Sequence, residues 1–369
     1  MTVEVGMDRR STAIDMLRGV AILLVLTRHW PASRFGFTQI GWVGVDLFFV
    51  ISGFLISSLL FRELDRTGEI DLGRFWLRRG LRIWPAYFAA FLAVIAVTMA
   101  HQIAGGSPPS LPIGQWPNLV LIQNYFPEAA RWRHTWSLAI EEHFYIALPL
   151  VITFVARRRV PLIGASVFLF CLFARLVSVA AGADWTSVYY QTHCRLDGLM
   201  AGVLIGYAAR YNPELLQRIA RHPIVVWAIC AVTLVVVAFN PLETSRFTIT
   251  FGFSMLALAF GGVVALAAVA SDFGAKWAPA RLLAGVGLYS YTIYLAHGAM
   301  VGLPSYRSAM DFVISHTGLW GGRAAFVAMA LLGGWALAWT IERPALALRK
   351  RLTRTQTTRA SAPVVAATE

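Results

Sequence analysis

Charged side chains are scarce in this sequence. They make up 14% of its 369 residues, where an ordinary soluble domain carries about a quarter. Acidic groups are the scarcer sign, with 19 Asp and Glu against 32 Lys and Arg. Together with 57% hydrophobic residues and a mean hydropathy of +0.62, this excludes a soluble globular domain. Several stretches reach or approach the roughly 18–20 apolar residues that a helix needs to cross a bilayer core. The fold class expected is an all-α, polytopic transmembrane helical bundle. Cysteine is also sparse. Cys171, Cys194 and Cys230 show neither C-x-x-C nor zinc-ligand spacing, so no metal is expected and each reads as a small buried hydrophobe. No internal repeat and no second soluble domain are visible.

What is present in excess is positive charge, +13 with a sequence pI near 10.3. Its placement argues against nucleic acid, because the basic residues sit in short loops between apolar segments. Ten spans are expected near residues 12–30, 42–61, 81–100, 136–156, 161–181, 195–210, 223–240, 246–270, 282–302 and 321–343. One set of alternate loops then holds 22 Lys or Arg, the other 6, and the remaining four (Arg18, Arg28, Arg175, Arg195) lie in or at the ends of spans. The positive-inside rule puts both termini in the cytoplasm. Arg9 and Arg10 before an apolar run resemble a signal peptide, but Asp15 and Arg18 interrupt that run and another span follows at once, so an uncleaved first helix is expected. Residues 1–350 are expected to form one transmembrane domain, followed by a short disordered cytoplasmic tail, 351–369.

The first segment, TAIDMLRGVAILLVLTRHW, carries ionisable groups where lipid would penalise them. Arg18 and His29 are eleven residues apart, about three helical turns, and so project from nearly one face some 16 Å apart. Asp15 lies within about 40° of that line. Asp15 and Arg18 also admit the plainer reading of a mutual pair at the cytoplasmic end. In the second segment Asp46 and Ser52 are the polar exceptions, and Ser52-Gly53 suits close helix packing. Before the third, Arg74, Arg78, Arg79 and Arg82 alternate with Phe75, Trp76 and Trp84. Such a cluster is either an interface belt or an anion site. Arg79 and Arg82, at i and i+3 near a helix start, suit phosphate.

Glu141 and Glu142 open the fourth segment, about 100° apart around the helix, so they cannot both face one neighbour. As helix-start acids they would complement the macrodipole, with Ser137 as cap. Arg195 and Asp197, two apart, do not face each other and are expected to find partners on other helices or an outer cavity. Tyr291, Tyr294 and His297 share one face of the ninth segment. The long outer loop 101–135, rich in Gly, Pro and Trp, is positioned to fold over an outer cavity.

These motifs also carry a resemblance. LRGVAILLVLTRH is similar to the opening signature of the membrane acyltransferase-3 family, in which ten residues separate an arginine from a histidine. GVDLFFVISGFLI, R-x-x-R followed by IWPAY, WSLAIEEHFY, RLDGLMAG, SYTIYLAH and the closing ERP resemble further family motifs, in order, from about Leu17 to Pro344. Some relatives carry an additional soluble esterase-like domain, which this sequence is expected to lack. The resemblance implies an integral-membrane O-acyltransferase of the bacterial cytoplasmic membrane. Its acyl group, expected to be acetyl, would move from cytoplasmic acyl-coenzyme A to a hydroxyl of a surface carbohydrate or small metabolite. The catalytic residues expected are His29, as base or acyl carrier, with Glu142 and Asp15. Arg18, Arg78, Arg79 and Arg82 are expected to hold the donor. Asp46, Glu141, Arg195, Asp197, Tyr291 and His297 are expected on the acceptor side. An ion-coupled transporter is the alternative, since it too would bury Asp15, Arg18, His29 and Asp197.

Overall fold

In the computed structural model the described residues are 11–31, 36–106, 108, 113–126 and 132–360. Every expected apolar segment is helical. Helix α1 (Thr12–Arg28) starts at Ser11, whose hydroxyl accepts the Ile14 N–H at 3.2 Å. It is followed by α2 (Val43–Thr67), α3 (Leu72–Ala104), α4 (Trp136–Phe154), α5 (Val160–Ala180) and the short α6 (Trp185–Tyr190). Then come α7 (Leu196–Tyr211), α8 (Pro213–Ala220), α9 (Pro223–Phe239) and α10 (Phe253–Val269), the last entered through a π-helical turn, Thr248–Gly252. Six helical stretches are long and apolar enough to cross a membrane, or seven if α8 and α9, bent by 77°, form one span.

Two expected spans take a different form. The ninth is broken at Tyr289 into α11 (Ala278–Leu288) and α12 (Ser290–Val301). Close packing separates the two halves' tasks: α11 lies so near α1 that a Cβ on Gly287 would meet the Asp15 carbonyl oxygen at 1.8 Å, whereas α12 carries His297 to His29. The tenth starts earlier than expected, as α13 (Tyr306–Leu337), which is kinked at Gly318 with φ 74°. A π turn, Ala338–Glu342, joins it to α14 (Arg343–Ala360). Helix α14 enters the segment expected as a tail; residues 361–369 lie outside the described ones.

The bundle is built around α2. In its most apolar stretch 78% of residues are buried, against 17% in that of α5. On α5 and α9, Leu169, Phe173, Ile224 and Phe239 face outward, as lipid-contacting side chains do. α2 and α7 touch backbone to backbone, as the Ser52-Gly53 step foretold: a Cβ on Gly53 would meet the Leu199 carbonyl at 1.9 Å, and one on Gly202 the Val50 carbonyl at 2.1 Å.

Two buried ion pairs tie this core together. Arg195 donates to Asp46 at 2.8 Å, joining α2 to the start of α7. Arg175, on α5, donates to Asp197 at 2.8 Å, to the Thr250 and Cys194 carbonyls at 2.9 and 2.7 Å, and to Ser254 Oγ. Ser254 in turn donates to Asp197 at 2.8 Å. The three cysteines are free and buried.

Candidate active site

Two cavities adjoin at the first turn of α2, where Val45 lines both. The larger, about 340 Å³, has four guanidinium groups on its walls, from Arg18, Arg62, Arg79 and Arg82. α1 supplies Arg18, the end of α2 Arg62, and the first turns of α3 the other two. The i, i+3 spacing does bring Arg79 and Arg82 to one wall. Neither forms a hydrogen bond or ion pair with a described residue; the guanidinium of Arg79 lies 5.7 Å from the Phe75 ring. Arg18 approaches Asp15 at 3.8 Å, so the pairing that the sequence allowed is present, yet Arg18 also faces the cavity. Arg78 is not among the lining residues.

Glu141, Tyr145, Ser52 and Tyr291 complete the polar part of that wall. Tyr145 donates to Glu141 at 3.1 Å and exchanges a hydrogen bond with Ser52, tying α2 to α4. Tyr291 donates to the Ile83 carbonyl at 2.6 Å. Glu142 points elsewhere, as the 100° step requires. It accepts from Trp84 Nε1 at 3.1 Å while its other carboxylate oxygen is buried without a partner.

The smaller cavity, about 280 Å³, holds His29 and His134 among Trp42, Trp136, Trp185, Tyr189 and Tyr190. His29 caps the C-terminus of α1, and its Nδ1 lies 3.0 Å from the Val25 carbonyl. A carbonyl oxygen can only accept, so Nδ1 carries the proton and Nε2 of the neutral ring presents a lone pair. His297 packs beside it, ring centroids 5.0 Å apart, and His134 lies 5.6 Å from His297. The Nε2 atoms of both His134 and His297 are buried with no hydrogen-bond partner. Tyr294 donates to the His134 carbonyl and shares a 2.9 Å hydrogen bond with Ser137. Ser137 is therefore not the α4 cap. The helix begins at Trp136, and no side chain caps it through Thr135.

Parts of the long 101–135 loop cover this side. Trp132 is buried against Tyr87 and Phe91, and Gln123 donates to the Thr135 carbonyl at 3.0 Å. Of the acceptor-side residues expected from sequence, Glu141 and Tyr291 line the arginine cavity and His297 adjoins His29. Asp46, Arg195 and Asp197 line neither cavity. Arg195 lies directly behind the aromatic wall, 4.9 Å from the Tyr189 ring and 5.6 Å from that of Trp136.

Sequence reasoning missed Arg62, His134, Ser52 as a cavity group, and Tyr145. Arg62 was visible only as one more basic residue after the second span. His134 stands two residues before the WSL motif, where its chemistry was legible but its neighbours were not. Among the described residues, no group of three or more His, Cys, Asp or Glu is arranged to hold a metal ion.

The fold and site define a membrane-type helical bundle in which a cation-lined and an imidazole-lined cavity share a wall. The acyltransferase-3 family model, described as an acyltransferase domain, matches residues 11–339, and the chain belongs to that family. It is 31% identical over 302 residues to the O-acetyltransferase OatA of Staphylococcus aureus strain NCTC 8325 / PS 47, a match that covers 77% of this chain and 49% of that protein. It is 28% identical over 319 residues to a provisionally named O-acetyltransferase of S. aureus strain MSSA476, covering 79% of this chain and 51% of the relative. The chain thus spans about half the length of these relatives. No solved structure gives a significant match.

Proposed function

We propose that the protein is an integral-membrane O-acyltransferase of the bacterial cytoplasmic membrane. It takes an acyl group, acetyl in the first instance, from cytoplasmic acyl-coenzyme A to a hydroxyl of a surface carbohydrate or, as second choice, a small metabolite. The observation that carries this reading is the pair of cavities with a common wall: four arginines on one side, His29 with its Nε2 lone pair on the other. The nucleotide end of the donor carries phosphates, which suit guanidinium groups such as those of Arg79 and Arg82, neither of which forms an ion pair with a described residue. The thioester would reach His29 along the roughly 16 Å of α1 between Arg18 and His29. His29 Nε2 then takes the acceptor's hydroxyl proton as general base, or itself carries the acyl group; either way the thioester C–S bond breaks and an ester C–O bond forms.

Glu141 sits on the donor side in this reading, beside Tyr145, and His297 and Tyr291 stabilise the wall. Asp46, Arg195 and Asp197 act by holding the aromatic wall of the acceptor cavity. Glu142 and Asp15 support Trp84 and Arg18, which bracket the donor.

The alternation of basic loops supports ten spans with both termini in the cytoplasm. Labelling of a tag placed after Arg354 by a membrane-impermeant reagent in intact cells would contradict that orientation. The activity is tested by offering radiolabelled acetyl-coenzyme A to the purified protein with carbohydrate acceptors. Release of the free thiol with label on the carbohydrate is expected. Accumulation of intact thioester or of an ion in proteoliposomes, without thiol release, would instead favour a transporter.

A further inference from the structure

The two cavities have only Val45 and Tyr294 in common among the residues that line them. Whatever passes from the arginines to His29 must pass these two side chains. Both are nearly buried, 6% and 7% exposed. Neither is placed to swing aside. Val45 lies in the first turn of α2, where α2 is pressed against α1: a Cβ on the preceding Gly44 would meet the Ala21 carbonyl oxygen at 2.4 Å. Tyr294 is held at its far end by the His134 carbonyl and Ser137. Its helix cannot retreat toward α4 either, since a Cβ on Gly298 would meet the His134 ring at 2.0 Å.

A passage bounded by a β-branched side chain on one helix and a doubly anchored phenol on another has a set width. Resting on the acyl-transfer reading above, we infer that Val45 and Tyr294 form a fixed aperture that selects the acyl chain by length, with Val45 as the adjustable side. A short acyl group reaches His29 past the two side chains. A longer one must place its tail among them before its carbonyl arrives, and close-packed walls penalise extra methylenes. The aperture acts on the acyl part alone. The nucleotide grip on the arginine side is the same for every chain length, so selection appears in turnover and not in donor binding.

The chemistry that reads this out is thiol release. The thioester C–S bond breaks, the acyl carbon bonds to the acceptor oxygen, and the hydroxyl proton is conveyed by His29 to the leaving thiolate. Purified full-length protein in lipid nanodiscs is supplied with acetyl-, butyryl- and hexanoyl-coenzyme A and a mixture of monosaccharides as surrogate acceptors, and free thiol is measured. The wild type is expected to favour acetyl. Val45→Ala should raise the butyryl-to-acetyl rate ratio on the order of tenfold, the range that one or two methylenes produce in an apolar pocket. Val45→Ile should lower it. Competition by desulfo-coenzyme A, which lacks the thioester but keeps the phosphates, should be the same for all three proteins, which also reports that each is folded.

Equal rates for all three donors in the wild type would overturn the aperture, as would unchanged ratios in both variants. Absence of thiol release with every donor, despite binding, would overturn the acyl-transfer reading, and the aperture with it.

Discussion

Two arginines in this bundle are fully enclosed, Arg175 and Arg195, and two half-buried ones, Arg79 and Arg82, are of another kind. Arg175 and Arg195 direct their guanidinium groups to Asp197 and Asp46, and Arg175 has three further acceptors in backbone and hydroxyl oxygens. Arg79 and Arg82 face a cavity and form no ion pair with any described carboxylate. In an apolar setting a charge must be paired or must have a purpose for its pairing from outside. The first kind joins helices; the second awaits an anion. The residue type is the same, and only the partners distinguish the two.

That contrast is broken most severely on the joining side. Arg175→Ala leaves Asp197 buried with the Ser254 hydroxyl and the Gly198 N–H but no countercharge, and loss of one member of such a pair costs about 3–5 kcal/mol. The expected result is a large loss of monodisperse protein on extraction and a lowered melting temperature. Wild-type yield and melting would move Arg175 into the second class.

On the cavity side the effect should be smaller and of another kind. Arg79→Ala and Arg82→Ala should each fold normally yet weaken acyl-coenzyme A binding about 10- to 100-fold, as expected for losing one hydrogen-bonded charge contact of about 1.5–3 kcal/mol. Titration with the labelled donor checks this. Unchanged affinity in both would return the cluster to an interface belt.

The smallest change tests the wall between the cavities. Tyr294→Phe keeps the ring but removes the bonds to His134 and Ser137, a loss of about 1 kcal/mol. Turnover should fall roughly fivefold with donor KM unchanged, and the released ring should weaken the preference for the shorter acyl group. A raised KM at full turnover would place Tyr294 in the donor site instead.

How much of this was legible beforehand differs between these same regions. Periodicity and length sufficed for the helices, and i, i+3 spacing for Arg79 and Arg82, because both are local properties of one helix. The 100° step likewise separated Glu141 from Glu142. The partners of Arg195 and Asp197 were not legible, since Asp46 is 149 residues away and Arg175 lies on yet another helix. Arg62 and His134 were hidden for the same reason: a cavity is made by helices meeting. The break at Tyr289 was missed because the apolar pattern continues through it, and what separates α11 from α12 is packing against α1.

Acyl transfer in this bundle turns on His29, and one measurement addresses it directly. Labelled acetyl-coenzyme A is offered to wild-type protein and to His29→Ala, with equilibrium binding and thiol release followed on the same samples. Binding should be equal, because the arginine cavity is untouched, while release should fall about 10²- to 10⁴-fold, as loss of a general base does. Near-normal release by His29→Ala would contradict the account and pass the role to His297 or Glu142.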